Sequence, residues 1–494
     1  MEYNRKFDIH KERNLTMLVD FYELTMANGY LESGVGNKIV CFDMFFRRVP
    51  DEGGYCIMAG VDQLIQYLSE LCFSKEDIDY LKNKNIFSEK FISYLENFKF
   101  TCDVYAVPEG TPVFPNEPLV TVVGPVMEAQ FVETMILLTI NHQTLIATKA
   151  NRICRAAGER PVLELGSRRA QGYDGAIFGA RAAVIGGCSA TACTIAEQMF
   201  NIPAVGTMAH SWVQLFDDEY SAFKAWAEAY PDNCLLLVDT YNVLKSGLPN
   251  AIKVFDEVLK PKGKRPVGIR IDSGDITYLT KEARKMLDEA GYKDAKITIS
   301  NSLDEYIIKS VLSAGAKIDS FGVGERLITA RSEPVFGGVY KLSAVQDTQG
   351  NFIPRIKISE NAEKITNPGF KDLYRLYDKK TGKAIADLIT LHGEEITEDK
   401  PLCIFDEVHT WKKKILENFT VKNLREKIFQ NGKCTYKSPD VKTIQNYCSK
   451  ELSTLWQEVL RFENPHTYYV DLSEKLWHTK RELLNNFSNK ISNM

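Results

Sequence analysis

The sequence predicts an α/β protein built around an irregular (β/α) barrel, with an α+β N-terminal domain before it and a C-terminal α+β extension after it. From residue 160 on, short apolar strands recur roughly every 20–40 residues, and each is followed by a stretch of helical character. That spacing leaves room for crossover helices, so the strands are predicted to pair in parallel. Polar residues follow nearly every strand, which is where parallel α/β folds bind their ligands.

Length and composition agree with a multidomain globular protein. The chain has 494 residues, of which 44% are hydrophobic and 26% are charged. At this size two or three domains are expected. The predicted boundaries give the N-terminal domain over 1–158, the barrel over 159–348 and the extension, packed on the other two, over 349–494.

The N-terminal domain is predicted to mix helices and strands. In chain order these are a helix over Leu15–Tyr30 that stops at Gly29, a strand over Ile39–Val49, a helix over Tyr55–Leu71, β-structure over Asp103–Val123, and one or two helices over Glu128–Ala157. The first of these last helices is predicted to bury Phe131, Met135 and Leu138.

The barrel strands are predicted from short apolar runs. They are Val162–Leu165, Ala204–Met208, Leu235–Val238, Val267–Ile271, Ile297–Ile299 and Ser320–Val323, with Val339–Leu342 as a possible seventh. Six or seven such units indicate a closed or nearly closed barrel, and an open doubly wound sheet is the alternative. No Gly-x-Gly-x-x-Gly motif follows the first strand, which disfavours a dinucleotide-binding fold.

The C-terminal extension is predicted to contain a hairpin and two helices. The hairpin spans Leu373–Leu391 and turns at Asp378–Gly382. A helix is predicted to open at Ser438-Pro-Asp440, with serine as the cap. Its apolar face carries Val441, Ile444, Cys448, Leu452, Leu455 and Val459. A second short helix is predicted after Ser473.

Charge and cysteine usage exclude several classes of protein. The net charge is −4, from 61 basic and 65 acidic residues, so neither nucleic acid nor a membrane is expected as a partner. The 11 cysteines form no zinc or CxxC pattern, which is typical of free thiols in a reducing compartment. The N-terminus lacks the apolar core of a signal peptide. We therefore expect a cytoplasmic protein.

Polar groups at the strand ends predict a functional edge of the barrel. They are Gly166–Arg169, His210, Asp239–Asn242, Arg270, Asp272–Asp275, Ser300, Asn301 and Gly324–Arg326. Each taken alone is equally well explained as a helix cap, an ion pair or a turn. Six consecutive strands that end in polar residues are harder to explain by structure alone, so we predict a ligand site at this edge.

The residue types at this edge indicate the ligand. Guanidinium groups and glycine-rich turns suit phosphate or carboxylate oxygens, and aspartates among them suit Mg²⁺. The edge is therefore predicted to hold a polyphosphate and its metal. An aldolase or isomerase acting on a sugar phosphate is an alternative, but no strand end supplies the lysine that a Schiff base needs. A non-catalytic nucleotide sensor is another.

Seven sequence blocks resemble the nicotinate phosphoribosyltransferases, which have the type II phosphoribosyltransferase fold. The blocks are Asp20–Met26, Glu109–Pro115, Glu164–Gly172, Gly206–His210, Val238–Tyr241, Gly268–Asp275 and Gly337–Lys341. The resemblance covers nearly the whole chain. It implies synthesis of nicotinate mononucleotide from nicotinate and 5-phosphoribosyl 1-diphosphate in NAD salvage, with release of diphosphate, coupling to ATP hydrolysis, and Mg²⁺ as cofactor.

The resemblance also implies roles for single residues. His210 is expected to be phosphorylated by ATP, and Asp272 and Asp239 to face the sugar cation of the transition state. Substrate contacts are expected from Tyr22, Arg168, Thr207, Arg270, Asn301, Gly322 and Gly324. Tyr22 is expected to stack on the pyridine ring from the partner subunit of a homodimer with shared active sites. Mg²⁺ is expected on Asp272 and Asp275.

Two segments depart from the family pattern. Glu325-Arg326 follows the Gly322–Gly324 turn where many relatives have a small hydroxyl residue, which leaves the side-chain contacts of that turn open. Gly186–Cys193 contains no acid, whereas nicotinamide-using relatives place an aspartate there. An uncharged segment tolerates the carboxylate of nicotinate. A nicotinamide or quinolinate phosphoribosyltransferase remains the alternative.

Overall fold

The computed structural model describes residues 13–359, 361, 364–406 and 412–492, with side chains as far as 487. The protein is a mixed α/β structure with two compact units. Unit 1 combines the segments before Gln143, from Val335 to Ser438 and from Lys450 onward, and unit 2 consists of Gln143–Pro334 and Pro439–Ser449. The division into three domains at 158 and 348 stays a prediction.

The first part of the chain alternates helices and short strands. Its elements are α1 Phe21–Glu32, β1 Ile39–Phe45, β2 Cys56–Ile57, α2 Val61–Glu70, α3 Lys75–Asn83, α4 Glu89–Glu96, β3 Asp103–Ala106, β4 Pro112–Val113, β5 Val120–Pro125, α5 Val126–Phe131 and α6 Glu133–Ala157. The predicted alternation is confirmed, but Leu138 on α6 is 53% exposed, so its predicted burial is wrong.

The middle part of the chain carries the βα units of unit 2. They are β6 Val162–Glu164, α7 Tyr173–Ile185, β7 Ala190–Thr191, α8 Thr194–Phe200, α9 His210–Gln214, α10 Glu219–Ala229, β8 Leu235–Leu237, α11 Leu248–Val254, β9 Gly268–Ile271, α12 Ile276–Glu289, β10 Lys296–Asn301, α13 Glu305–Ser313, β11 Ser320–Val323 and α14 Glu325–Ile328. The six strands form one parallel half-barrel sheet in the order β7-β6-β11-β10-β9-β8.

The last part of the chain is rich in antiparallel strands. Its elements are β12 Val339–Gln346, β13 Phe352–Pro354, β14 Lys371–Asp378, β15 Ala384–Leu391, β16 Leu402–Asp406, β17 Lys413–Leu416, β18 Phe419–Asn423, β19 Glu426–Gln430, β20 Lys433–Cys434, α15 Val441–Thr454, β21 Val470–Ser473 and α16 Glu474–Ser492. In unit 1 the strands build a seven-stranded sheet, β13-β12-β1-β5-β3-β19-β20, and a six-stranded sheet, β17-β16-β21-β15-β14-β18.

Two of the predicted barrel strands are placed differently in the structure. Val339–Leu342 begins β12, which pairs antiparallel with β1 in unit 1, so its assignment to the parallel series is wrong. Ala204 forms only an isolated parallel bridge to Thr191, and the rest of Ala204–Met208 is irregular. The sequence analysis missed β7, which contains Thr191 and is only two residues long.

Several predicted helix boundaries are shifted in the structure. Helix α1 passes Gly29 and ends at Glu32, where Ser33 donates its hydroxyl to the carbonyl oxygen of Gly29. The predicted helix over 55–71 is strand β2 followed by α2. Asp440, rather than Ser438, caps α15, because its carboxylate accepts the backbone N–H of Thr443 at 2.8 Å.

The C-terminal predictions are confirmed in outline. Strands β14 and β15 form the predicted hairpin, and the backbone N–H of Gly382 closes its turn onto the carbonyl oxygen of Asp378. The predicted apolar face around α15 is buried, although Leu455 and Val459 lie beyond the end of the helix at Thr454. The helix after Ser473 is α16, which is long rather than short.

A cluster of charged groups is completely buried in unit 1. Arg375 on β14 donates from Nε and Nη2 to the carboxylate of Asp387 on β15, at 2.8 and 2.6 Å, and both side chains are 0% exposed. The hydroxyl of Tyr468 donates to the same carboxylate at 3.0 Å. Glu117 is also fully buried; burial, together with the charge of Asp387, raises the pKa of Glu117 well above its ordinary value. Burial therefore favours the protonated form of Glu117 in the folded protein more than in the unfolded chain.

No helix in the described part of the chain has the length and apolar character needed to cross a membrane.

The raised pKa of Glu117 predicts a pH-dependent contribution to stability. The pKa of Glu117 is higher in the folded state than in the unfolded state. Its contribution to the free energy of unfolding is therefore fully present at pH values below the ordinary carboxyl range, and it is lost as pH rises through the raised pKa. For one proton the slope approaches about 1.4 kcal/mol per pH unit inside that window. We expect Glu117→Gln, which keeps a neutral side chain of the same shape, to gain stability relative to the wild type as pH rises.

The measurement is the free energy of unfolding of both proteins from about pH 5 to about pH 8. The variant Glu417→Gln controls for loss of a carboxylate at the surface, because Glu417 is exposed. A difference between wild type and Glu117→Gln that does not change with pH would show that Glu117 is not protonated in the folded protein.

Candidate active site

The site forms in unit 2, where the parallel register brings the strand ends to one edge. In this register Leu237 is opposite Arg270, Ile299 is opposite Ile271, and Ser300 is opposite Gly322. The residues that directly follow β6, β8, β9, β10 and β11 therefore emerge at the same edge of the sheet. Interior positions of these strands are fully buried: Leu236, Ile269, Ile297, Ile299, Phe321 and Val323 are all 0% exposed.

Arg270 supplies a partly desolvated positive charge at this edge. Its guanidinium donates to the hydroxyl of Thr207, so the structure brings together two residues predicted to contact substrate. Burial lowers the pKa of Arg270, and the positive charge of Arg168 lowers it further. The Nε of Arg270 is buried and has no hydrogen-bond partner. Two neighbouring guanidinium groups with an unused donor are suited to binding an anion.

The two aspartates predicted at the sugar are connected by hydrogen bonds. Asp239 Oδ2 accepts the backbone N–H of Asp272 at 3.1 Å and the hydroxyl of Ser273 at 2.6 Å. Asp272 Oδ1 accepts the hydroxyl of Ser300 at 2.6 Å. The neighbouring strands β8, β9 and β10 thus hold both carboxylates in fixed orientations.

His210 begins α9 and faces this pair of carboxylates. Its Nδ1 lies 3.1 Å from the hydroxyl of Thr240, and its Nε2 lies 3.9 Å from Asp272 Oδ2. The side chains of His210 and Asp272 are 40% and 41% exposed. One ring nitrogen is therefore engaged by a fixed hydroxyl, while the ring stays accessible to a phosphate donor.

The carboxylates fit a magnesium ion that is completed by substrate phosphates. Asp239 Oδ1 is buried without a hydrogen-bond partner, and Asp272 is half exposed beside it. Mg²⁺ is often held by only one or two carboxylates together with substrate phosphates. Asp275 fits less well, because its carboxylate caps α12 by accepting the N–H of Tyr278 at 2.7 Å. Within the described ranges, no group of three or more His, Cys, Asp or Glu side chains is arranged to hold a metal.

The turns after β6 and β11 approach each other closely. A Cβ added to Gly166 would lie 2.7 Å from the carbonyl oxygen of Gly324, and one added to Gly322 would lie 2.4 Å from Leu165 Cδ1. Glycine is therefore required at 166 for the two backbones to approach this closely, whereas at 322 a Cβ would meet the movable end of the Leu165 side chain. Asn301, at the end of β10, is exposed, and its side-chain oxygen accepts the N–H of Ser302 at 2.6 Å.

The side chains of the adjacent residues Glu325 and Arg326, which depart from the family pattern, each contact a residue of opposite charge. Glu325 Oε1 lies 3.3 Å from Arg331 Nη1, and the guanidinium of Arg326 donates to Asp304. Each of the two charges therefore has a partner of opposite charge.

The acid-free segment Gly186–Cys193 nevertheless contacts a carboxylate. Glu164 at the end of β6 is 0% exposed and accepts the hydroxyl of Thr191 at 2.6 Å. Its other oxygen accepts the N–H of Gly166, and burial raises the pKa of Glu164. Both oxygens are therefore satisfied within the turn.

Tyr22 belongs to unit 1, on α1, and is 42% exposed. Burial and the neighbouring Glu133 raise its pKa. The adjacent Glu23 is fully buried and accepts two hydrogen bonds from Thr134, and burial raises the pKa of Glu23 to about 8. The other predicted site residues all lie in unit 2.

The sequence analysis placed three hydroxyl residues at the strand ends but assigned them no role in orienting the predicted site groups. Thr240, Ser273 and Ser300 each hydrogen-bond to a predicted site residue. All three lie in the strand-end segments, so position at a strand end was the available signal. Their partners could not be assigned, because which hydroxyl meets which carboxylate depends on the pairing of strands far apart in sequence.

Comparisons with known proteins agree on one family. Models of the nicotinate phosphoribosyltransferase N-terminal and C-terminal domains match residues 17–141 and 370–480. Nicotinate phosphoribosyltransferase of Bacillus subtilis (strain 168) is 45% identical over 483 residues, which cover 97% of both chains.

Solved structures extend the comparison to the fold. The crystal structure of human nicotinic acid phosphoribosyltransferase matches with a TM-score of 0.82 and 28% identity, covering 94% of this chain and 100% of that one. Nicotinate-nucleotide pyrophosphorylase from Pyrococcus furiosus matches with a TM-score of 0.69 and 24% identity, over 91% and 98% of the two chains, which shows a shared fold. On the sequence identity and the domain matches together, this chain belongs to the nicotinate phosphoribosyltransferase family.

Proposed function

We propose that this enzyme makes nicotinate mononucleotide from nicotinate and 5-phosphoribosyl 1-diphosphate, releases diphosphate, and couples the reaction to ATP hydrolysis in NAD salvage. The observation that carries the proposal is the pairing of opposite charges at one sheet edge: the guanidinium group of Arg270 interacts with the carboxylates of Asp239 and Asp272 and with the neighbouring Arg168. A reaction that separates an anionic leaving group from a sugar cation needs both kinds of charge.

The residues divide this work between them. Arg270 and Arg168, with Thr207, bind the anionic groups of nicotinate and donor, and Asp272 or Asp239 stabilises positive charge on the ribosyl ring as the bond to diphosphate breaks. Asn301 and the backbone of the Gly322–Gly324 turn hold the ribose phosphate. Mg²⁺, held by Asp272 and Asp239 with Asp275 as the weaker candidate, supplies positive charge to the diphosphate.

His210 is the residue at which ATP enters the cycle in this proposal. Accessibility and the hydrogen bond between Nδ1 and the hydroxyl of Thr240 support its role as phosphohistidine. Phosphorylation adds negative charge close to Asp272, which is 3.9 Å away. That charge would bias how tightly the neighbouring cations and the metal hold substrate and product.

The proposal also includes the oligomeric state, the domain architecture and the location of the enzyme. The enzyme works as a homodimer in which Tyr22 of one subunit stacks on the pyridine ring bound by the other; exposure of Tyr22 and of its neighbour Phe21 supports this. The half-barrel sheet is part of an irregular (β/α) barrel between two further domains, with boundaries near 158 and 348. The enzyme acts in the cytoplasm.

Turnover of three pyridines with the same ribosyl donor tests the function. Nicotinate, nicotinamide and quinolinate are each supplied with 5-phosphoribosyl 1-diphosphate, with and without ATP, and diphosphate release and product mass are measured. We expect nicotinate to be used best and ATP to raise its turnover. Faster use of nicotinamide, or CO₂ release from quinolinate, would identify the alternative enzyme, and binding without diphosphate release would identify a sensor.

The variant His210→Ala is expected to lose ATP hydrolysis and its coupling while keeping slow, ATP-independent transfer. The reason is that only the phosphoryl acceptor is removed, whereas the arginines and aspartates that act on the donor remain. Phosphate release from ATP and nicotinate mononucleotide formation are measured in parallel. His478→Ala is a matched control, since His478 is 64% exposed on α16 in unit 1. ATP hydrolysis that still follows product formation would rule out His210 as the acceptor.

The variant Asp272→Asn is expected to lower the transfer rate at saturating substrate by about 100-fold, with a much smaller effect on donor binding. Asparagine keeps the hydrogen bond to Ser300 but removes the negative charge that faces the sugar cation. Single-turnover rates and donor titrations separate the two effects. Asp232→Asn, at a 75% exposed position, controls for loss of a surface carboxylate. An unchanged rate would remove Asp272 from the transition-state role.

A further inference from the structure

The Glu325-Arg326 segment, which departs from the family pattern, forms a contact between two loops of the candidate site. The guanidinium of Arg326, two residues after Gly324, pairs with the carboxylate of Asp304. Asp304 lies three residues after Asn301. The pair therefore connects the loop after β10 with the turn after β11, the two segments that we assign to the ribose phosphate.

The α13 side of this contact is held rigidly in the core of unit 2. Asp304 caps α13 by accepting the N–H of Ile307 at 2.9 Å. The next residue, Glu305, is 1% exposed and receives Lys149 Nζ and Arg152 Nε on the same carboxylate oxygen, both at 2.9 Å. Because two buried cations on α6 fix the first turn of α13, Asp304 is a firm point of attachment for Arg326.

Strand pairing holds Gly322 and Val323 against β10 and β6, so only Gly324 and the residues after it lie outside the sheet. Hydrogen bonds at the start of α14 are local, from Leu327 and Ile328 to the carbonyl oxygen of Gly324. The turn packs against Gly166, and a Cβ there would clash with both Ile328 and Gly324. This contact sets how closely the two backbones approach. The ion pair with Asp304 connects the part of the turn beyond the strand to the loop after β10.

Partial burial makes the pair effective as a tether. The side chains of Arg326 and Asp304 are 27% and 16% exposed, in contrast to 57% and 44% for the nearby Arg331–Glu325 pair. Solvent screens an ion pair at the surface strongly, whereas removing one partner of a largely buried pair leaves a charge without compensation. The Asp304–Arg326 pair is the stronger constraint on the turn.

We propose that the Asp304–Arg326 ion pair positions Gly324 and the backbone that follows it relative to Asn301, and so sets the affinity of the site for the phosphoribosyl group. Arg326 acts through the turn and is a positioning residue. This inference rests on the proposed function of the turn as the ribose-phosphate cradle.

The variants Arg326→Met and Asp304→Asn test the proposal. Arg326→Met removes the charge and keeps an apolar stem, while Asp304→Asn keeps an oxygen that caps α13. We expect each to raise the KM for 5-phosphoribosyl 1-diphosphate by roughly tenfold, with kcat and the KM for nicotinate within about twofold of wild type. The double variant should be no worse than either single variant, since one contact is lost in all three. Arg326→Lys, which keeps a cation, should recover part of the loss.

A matched control lies at the opposite edge of the same sheet. Arg265 and Asp294 form an exposed ion pair between the loops that precede β9 and β10. Arg265→Met therefore removes an arginine–aspartate pair between neighbouring loops far from the strand ends, and the KM for 5-phosphoribosyl 1-diphosphate should stay at the wild-type value.

The outcomes separate this inference from the proposed function. Calorimetric binding of 5-phosphoribosyl 1-diphosphate, with Mg²⁺ present, is measured for each variant independently of turnover. Unchanged donor affinity in Arg326→Met, or equal losses for donor and nicotinate, would overturn the positioning role. A wild-type protein that binds the donor but makes no nicotinate mononucleotide would contradict the proposed function and still let the tether be judged from donor binding. Should Arg326→Met fail to fold, Asp304→Asn and Arg326→Lys decide the question.

Discussion

Parallel hydrogen bonding of six short strands is the constraint on which the candidate site depends. In an antiparallel sheet, successive strand ends would alternate between two edges, and the residues of one site would be divided between them. Here every strand of unit 2 runs the same way, so residues that are separated by more than a hundred positions, such as Glu164 and Asp272, follow strands that end at one edge. The crossover helices are the means by which the chain returns for each new strand.

The charged groups of this protein fall into two arrangements that differ in solvent exposure. At the sheet edge, cations and carboxylates are half exposed and keep unused hydrogen-bonding atoms, as Arg270 and Asp239 do. In the core of unit 1, Arg375 and Asp387 face each other on neighbouring strands with two direct hydrogen bonds and no exposure. The first arrangement is accessible to a charged ligand, whereas the second is shielded from solvent and fixes one strand pair. A charged residue alone therefore does not distinguish a ligand site from a structural ion pair; that distinction requires knowing which groups surround it.

Strand ends were predictable from sequence because apolar runs and the polar residues after them are local features. Arg270 and Asp272 were located in this way; His210 was located after Ala204–Met208, which is irregular in the structure, and yet its ring lies beside Asp272. The features that the sequence did not reveal depend on pairing between strands that are far apart in the chain. Strand β12 has the same apolar composition as the parallel strands, yet it pairs antiparallel with β1. Strand β7, at two residues, is too short for a periodicity. Likewise the partners Thr240 and Ser300 emerge only when strands are aligned.

The pairing of β1 with β12 has a consequence for how the chain folds. Val40 on β1 pairs with Val345 on β12. One of the two neighbours of β1 is therefore synthesised about 300 residues after β1 itself. Meanwhile Gln143–Pro334, which contains all six parallel strands, is already complete. During that interval β1 has an exposed edge that can pair with other chains. Order of synthesis therefore favours early folding of the segment that carries the proposed catalytic groups, with closure of the seven-stranded sheet as a late, long-range step.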